Sequence, residues 1–305
     1  MPQQDGVLVL DKPGGLTSAA CVGLLKKRLG QKKIGHAGTL DPMATGVLLV
    51  LLGQATKISG QLLEAGQKIY LATVKFGLDT DTWDVEGRVL SETPLEHALD
   101  SGLLSFNVLK AELAGWVGTM RQQVPPYSAA KHAGQPLYAL ARKGLATPYK
   151  DKTIEISRAE LEWFRPPLAR FRIACGSGTY IRSLAHSLGI RFECGAVLAE
   201  LVREYSHPYA LDTAVNLDEL LANPELLPQK TQSIASALAH LPAFRLDRET
   251  EFKVRNGNML PLALLPEVDG NRVLFLDSAG RELALAERSR RGGEEFWRVG
   301  RGLWN

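Results

Sequence analysis

Two stretches of this chain are apolar without a break and too short to be helices: Gly6-Val-Leu-Val-Leu10 and Val47-Leu-Leu-Val-Leu-Leu52. A surface helix needs a polar stripe, whereas a strand covered on both faces does not. Both segments are therefore predicted as interior strands. Lys68 to Phe76 alternates in period two, with Tyr70, Ala72, Val74 and Phe76 on one face and Ile69, Leu71 and Thr73 on the other. That pattern predicts a third strand inside the sheet. Between them, Thr17 or Ser18 can cap a helix carrying Val22, Leu25 and Leu29, which Gly30 stops. Ala55 to Leu63 has helical spacing, Val85 to Leu90, Thr153 to Phe164 and Ala169 to Cys175 read as strands, and Ser177 to Gly189 reads as a glycine turn opening a helix. Strands and helices mix without a strict βαβ repeat, so the fold class is α+β.

Residues 121–150 are polar and rich in Gln, Pro, Lys and Gly, an excursion from the sheet with a short helix near Leu137 to Lys143. A second change falls at Leu241-Pro242. Beyond it, Val273 to Leu276, Leu283 to Ala286 and Phe296 to Val299 are short strands separated by Asp-Gly, Asn-Gly and Gly-Gly turns. The division expected is 1–241 for the main unit and 242–305 for a small β-rich module. With 305 residues the chain can bury such a core without metals or disulfides.

Several chemistries are excluded early. The three cysteines, Cys21, Cys175 and Cys194, form no close pair, and the histidines show no metal-cage spacing, so no metal is expected. No phosphate-binding loop, dinucleotide fingerprint or serine elbow occurs. The net charge of +3 decides nothing about partners. The longest aliphatic run is six residues, against about 20 for a membrane helix. The N-terminus lacks a signal-peptide pattern, and a soluble cytoplasmic protein is expected.

The densest unusual segment is Lys33-Ile-Gly-His-Ala-Gly-Thr-Leu-Asp-Pro-Met-Ala-Thr-Gly-Val47. Pro42 pushes Asp41 out of helical geometry, and Asp-Pro commonly starts a turn. The surrounding glycines let backbone approach a ligand closely while the aspartate stays on a stiff loop.

Gly35-His-Ala-Gly-Thr-Leu-Asp-Pro-Met-Ala-Thr-Gly46 closely resembles the signature loop of the TruB family of tRNA pseudouridine synthases. Four further blocks match in family order: Leu10-Asp-Lys-Pro13, Gly77-Leu-Asp-Thr-Asp-Thr-Trp-Asp-Val-Glu-Gly87, Pro126-Tyr-Ser-Ala-Ala-Lys131 and Gly178-Thr-Tyr-Ile-Arg-Ser183. The resemblance covers roughly residues 6 to 215. It departs from the usual pattern at Met43, at Cys175-Gly-Ser-Gly178 and at Val202-Arg203.

The resemblance implies a pseudouridine-synthase-like domain with a largely antiparallel central sheet, followed by a PUA-like module. It implies isomerisation of uridine-55 in the T-loop of tRNA: the N1–C1′ bond breaks, the base turns, and it rejoins through C5. Atoms are conserved and no electrons are lost, so no cofactor is implied. The role at the sugar falls to Asp41, either attacking C1′ or assisting a glycal, and both routes need it ionised. Arg182 matches the arginine that pairs with it, and Tyr70 the residue placed to take the C5 proton. Lys12, His36, Tyr180 and Leu201 match substrate positions, His36 packing on displaced bases as the target is extruded.

For RNA contacts the candidates are Lys32 and Lys33 in the basic run before the loop, Lys131, Arg142 and Lys143 in the polar excursion, and Arg203. The partner expected is a tRNA T-arm stem-loop, with no membrane and no protein partner, and a monomer as the default state. Two rivals carry different chemistry. One is a non-catalytic tRNA-binding protein. The other is a nucleoside hydrolase, which usually needs two carboxylates about 5 to 9 Å apart.

Overall fold

The computed structural model describes residues 3–304 apart from 65, 129, 133, 142, 144, 146, 147, 149, 266, 267 and 269. The two continuous apolar runs form neighbouring strands within an eleven-stranded sheet. Strand β1 (Gly6–Lys12) pairs antiparallel with β3 (Thr45–Leu52), from Gly6 opposite Leu52 to Lys12 opposite Gly46. Side chains of β3 alternate between two cores. Leu48, Val50 and Leu52 face helices, packing with Leu25 and Leu29 of α1 (Ser18–Leu29). Val47, Leu49 and Leu51 face the other way, toward Leu274, Leu285 and Leu303 near the C-terminus. Cover on both faces is why the runs Gly6–Leu10 and Val47–Leu52 carry no polar positions.

The α1 boundaries follow the sequence signals. Thr17 caps the N-terminus by accepting from the Ala20 amide, and Gly30 closes the helix at φ 63°. After β2 (Ile34–Ala37) and β4 (Lys68–Phe76) come α2 (Phe106–Gly115), β5 (Gly118–Gln123), β6 (Asp151–Arg165), β7 (Leu168–Cys175), α3 (Ile181–Arg191) and β8 (Ala196–Ser206). The sheet runs β1-β3-β8-β4-β7-β6-β5, with every long pairing antiparallel.

Strand β4 lies inside the sheet, between β8 and β7, as expected, with its two faces buried unequally. Tyr70, Ala72, Val74 and Phe76 are buried beneath helices, but Ile69 and Leu71 are half-buried. Their face carries ion pairs instead: Arg170 with Glu200, and Arg172 with both Glu162 and Glu204. The predicted strand Val85 to Leu90 differs. Residues 84–87 turn, with the Gly87 amide donating to Asp84 O and the Glu86 amide to Asp84 Oδ1, and the strand begins only at Val89.

One edge of β3 is shared by two strands. Strand β2 pairs with its end, Ala37 opposite Leu49, while β8 runs parallel to its start, Arg203 opposite Gly46. The sheet forks there, and residues 38–44 span the fork. Gly46 sits at φ 97°, and a Cβ on it would lie 2.4 Å from the Arg203 carbonyl oxygen. Gly46→Ala is therefore expected to destabilise the chain by about 1–3 kcal/mol or more. Thermal melting checks this directly.

A second, five-stranded sheet is built from Ala243–Arg245, Leu260–Pro261, Arg272–Leu276, Glu282–Arg291 and Glu294–Gly302. Its own core holds Phe275, Leu283 and Trp297. It meets the main sheet through the apolar cluster of Leu274, Leu285 and Leu303, and Lys57 Nζ donates to Gly302 O at 2.7 Å and Trp304 O at 3.2 Å.

Candidate active site

The loop across the fork is held rigidly from below. Asp41 opens a turn, its carbonyl accepting from the Ala44 amide at 3.1 Å, with Pro42 in the position that suits its fixed φ. The Ser18 hydroxyl accepts from the Leu40 amide at 2.9 Å and lies 3.2 Å from the Leu40 carbonyl, while the Gly15 amide donates to Pro42 O. Two buried cations complete the frame. Lys12 Nζ donates to the carbonyls of Pro13, Pro42 and Ala44 at 2.8, 3.1 and 2.7 Å. Arg203 donates from Nε to Val47 O at 2.6 Å and from Nη2 to Gly38 O at 2.8 Å.

The structure places two of the expected contact residues in this frame. Lys12, expected among substrate contacts, is fully buried with its ammonium spent on three carbonyls. Arg203, expected on an RNA-facing surface, is 1% exposed and braces the same loop. Loop carbonyls that cannot reach water need donors, and a buried cation supplies several from one side chain.

Above this frame the loop lines a cleft of about 1070 Å³. Asp41 faces α3, where Arg182 donates from Nε to Oδ2 at 2.9 Å and from Nη2 to Oδ1 at 3.0 Å. The arginine is 5% exposed, and its remaining donors reach Thr82 O and Tyr127 O, each at 2.9 Å. A bidentate guanidinium in such a site fixes the position and orientation of the carboxylate. Helix α3 is anchored too: Gln122 of β5 accepts from the Tyr180 amide at 2.7 Å and donates to the Tyr180 carbonyl at 2.9 Å.

A second carboxylate, to which the sequence reading gave no role, stands behind the pair. Asp84 Oδ2 lies 3.7 Å from Arg182 Nε, and its Oδ1 accepts from Thr82 Oγ1 and the Glu86 amide. Burial pushes the Asp84 carboxyl up, against the Thr82 hydroxyl and Arg182, which pull it down. Between them, Trp83 takes φ 63°, a left-handed conformation that costs a bulky residue about 1–3 kcal/mol.

Tyr70, Tyr180, Leu201 and His36 line the same cleft. Burial pushes the Tyr70 phenol up, with the Arg203 guanidinium opposing it, so the free protein holds a neutral phenol. Burial likewise raises Tyr180. His36, on β2, is pushed below the usual histidine range by burial and then by Arg203, and its buried Nδ1 has no hydrogen-bond partner among the described residues. Lys68 also lines the cleft from β4, 6% exposed, and burial lowers its ammonium. It carried no sequence signal beyond its place two residues before Tyr70.

Of the RNA candidates, Lys32, Lys33 and Lys143 are exposed. Arg142 and the side chain of Lys131 lie outside the described residues. No group of three metal-ligating side chains occurs among the described residues, and no described helix is long and apolar enough to cross a membrane.

Three histidines give the site and its surroundings a pH signature. Burial lowers His36, His186 and His240 below 6.5; a nearby cation or histidine adds to this at His36 and His240, and Asp79 opposes it at His186. Below about pH 6.5 the unfolded chain therefore binds more protons than the folded one, and stability falls as pH drops. Asp84, raised by burial, works in the opposite sense only in the more acidic carboxylate range. The melting temperature is expected to decline from about pH 7.5 to 5.5, with a shallower slope when the three are replaced together by Asn or Gln.

Comparison with known proteins follows this geometry. Residues 26–181, which include Asp41, Tyr70, Asp84 and most of the cleft, match the TruB family pseudouridylate synthase N-terminal domain. The chain is 53% identical over 308 aligned positions to the tRNA pseudouridine synthase B of Nitratidesulfovibrio vulgaris, covering 99% of both chains. It is 54% identical to that of Oleidesulfovibrio alaskensis, covering 100% of this chain and 98% of the relative. Among solved structures, the crystal structure of a Cbf5-Nop10-Gar1 complex contains a chain matching 99% of this one and 85% of its own length, with TM-score 0.70 and 25% identity. With full-length relatives above half identity and a matched domain carrying the braced aspartate loop, the chain belongs to the TruB family of pseudouridylate synthases.

Proposed function

We propose that this chain isomerises uridine to pseudouridine at position 55 in the T-loop of tRNA, with Asp41 as the acting group. The observation that carries the reading is the bidentate Arg182–Asp41 pair at the floor of a nucleotide-sized cleft. Held at both oxygens, the carboxylate is oriented for attack at C1′ or for assisting a glycal. Leu201, Tyr70 and Tyr180 offer an apolar slot in which the detached uracil can turn without leaving. The C5 proton must then be removed. Tyr70 borders that slot, but its phenol is protonated beforehand, so it needs a partner to pass its own proton on as it takes the new one.

A uridine stacked in a folded loop has to be extruded to reach Asp41. His36, kept neutral, offers a flat unpaired face at the cleft mouth for the bases left behind. Exposed Lys32, Lys33 and Lys143 suit phosphate contacts that position the stem. On this reading residues 1–241 carry the chemistry and 242–305 extend the RNA contact. On the same reading the chain acts as a monomer in the cytoplasm.

The test is a T-arm stem-loop transcript carrying 5-tritiated uridine. Tritium is expected in solvent, with pseudouridine at a single position in the RNA. RNA binding without tritium release would leave a non-catalytic binder. Free uracil would instead mean hydrolysis, for which Asp84 makes a poor second carboxylate because both its oxygens face donors of its own turn and Arg182.

A further inference from the structure

The contacts that hold Asp41 depend on how the turn at residues 82–84 sits against α3, and the guanidinium alone is a single point of attachment. A second point exists. Thr82 and Asp84 both face Arg182, while Trp83 between them turns to His186, one helical turn further along α3. Residues four apart lie on one helix face about 6 Å apart along the axis. The Trp83 indole and the His186 imidazole are stacked, with centroids 4.2 Å apart and planes within 5°. Neither ring lines the cleft.

Trp83 is buried, and its left-handed backbone persists only where its surroundings over-determine it. The Leu198 amide donates to Trp83 O and the Val85 amide to Leu198 O, each at 3.0 Å, which fixes the turn to β8. Nothing in those two bonds sets its distance from α3. Beside the Arg182 contacts to Thr82 and Asp84, the ring stack is what ties the turn to that helix. His186 Nδ1 is 3.7 Å from Asp79 Oδ1, beyond hydrogen-bond length, and this oxygen is buried without a hydrogen-bond partner among the described residues. The stack is therefore the close contact of the imidazole on this side.

We infer that Trp83 and His186 are positioning residues, a clamp that sets the 82–84 turn against α3 so that Arg182 meets both oxygens of Asp41. The inference rests on the reading that Asp41 performs the isomerisation. It assigns neither ring a contact with RNA. Losing the clamp lets the guanidinium pivot, so the chemical step slows while RNA binding stays.

Three variants test it, with single-turnover tritium release, RNA affinity and the Arg182 Nε–H magnetic resonance signal as readouts. His186→Ala and Trp83→Gly are expected to slow release by about tenfold to a hundredfold, as for a misplacement near 1 Å. RNA affinity should stay within about twofold, and the Nε–H signal should broaden through exchange. His186→Phe keeps a flat ring and should restore both rate and signal. Trp83→Gly removes the ring on a backbone conformation that glycine tolerates, and His186→Ala removes the other ring with a smaller loss of buried volume. An unchanged rate and signal in His186→Ala, or a loss in His186→Phe equal to that in alanine, overturns the clamp. A parent chain that releases no tritium, with the Nε–H signal still responding to the variants, overturns the functional reading instead.

Discussion

Asp41→Asn is expected to fold like the parent chain, bind T-arm RNA within a few-fold, and lose turnover by about 10⁴-fold or more. The change keeps the shape of the side chain and removes its charge. Arg182 retains Thr82 O and Tyr127 O as acceptors and Asp84 nearby, so the buried cation is not stranded. The asparagine amide can accept from one guanidinium nitrogen but presents a donor to the other. Single-turnover tritium release measures the loss, and a melting curve within a few degrees of the parent shows that it is chemical. Substantial turnover in the variant would remove Asp41 from the reaction.

Arg182→Met is the second large effect, and it strikes stability as well as rate. The side chain is 5% exposed and serves four groups: both Asp41 oxygens, Thr82 O and Tyr127 O, with Asp84 alongside. Methionine fills the space but leaves two carboxylates facing each other and two carbonyls without donors. Removing one partner from a buried ion pair costs about 3–5 kcal/mol. Part of that cost should be relieved by protonation of Asp84, whose carboxyl burial already pushes up. The variant should therefore recover some stability as pH falls into the carboxylate range, in contrast to the histidine-driven decline of the parent. Arg182→Lys tests the geometry further. Its single ammonium restores charge but cannot bridge both carboxylate oxygens and two carbonyls at once, so stability should return more fully than rate. Equal recovery of both would mean that charge alone matters.

The pairing of Asp41 with Arg182 was expected from the resemblance to the TruB family, and the sequence itself offered only the local setting of each. Asp41 is fixed by the proline after it, and Arg182 by the glycine turn that opens its helix. The caps of α1 and the strand-rich C-terminal segment were legible for the same reason, since turn and cap chemistry is local. What the sequence hid was destination. Lys12 and Arg203 carry the same charge as a surface lysine or arginine, and only the fold shows that they end beneath a loop 30 to 165 residues away. Asp84 and Gln122 were hidden likewise, because Arg182 and Tyr180, which they meet at the start of α3, lie far along the chain. The outer face of β4 hid its neighbours in another way. Ile69 and Leu71 are apolar, yet their neighbours come from strands β6, β7 and β8, whose arginines and glutamates form a ladder that no reading of β4 alone could supply.

The apolar cluster joining the two sheets bears on how this chain can be cut or recombined. Val7, Val9, Leu49 and Leu51 share one buried cluster with Ile58, Leu62, Ile234 and Leu238 and with Leu274, Leu285 and Leu303 of the second sheet and its tail. A truncation after Leu241 would bare that greasy flank of the strands beneath the aspartate loop and invite aggregation, whatever the missing segment does for RNA. Grafting a foreign tail would succeed only if the tail brought matching leucines and acceptors for Lys57. The two parts are separate in sequence but not severable in practice.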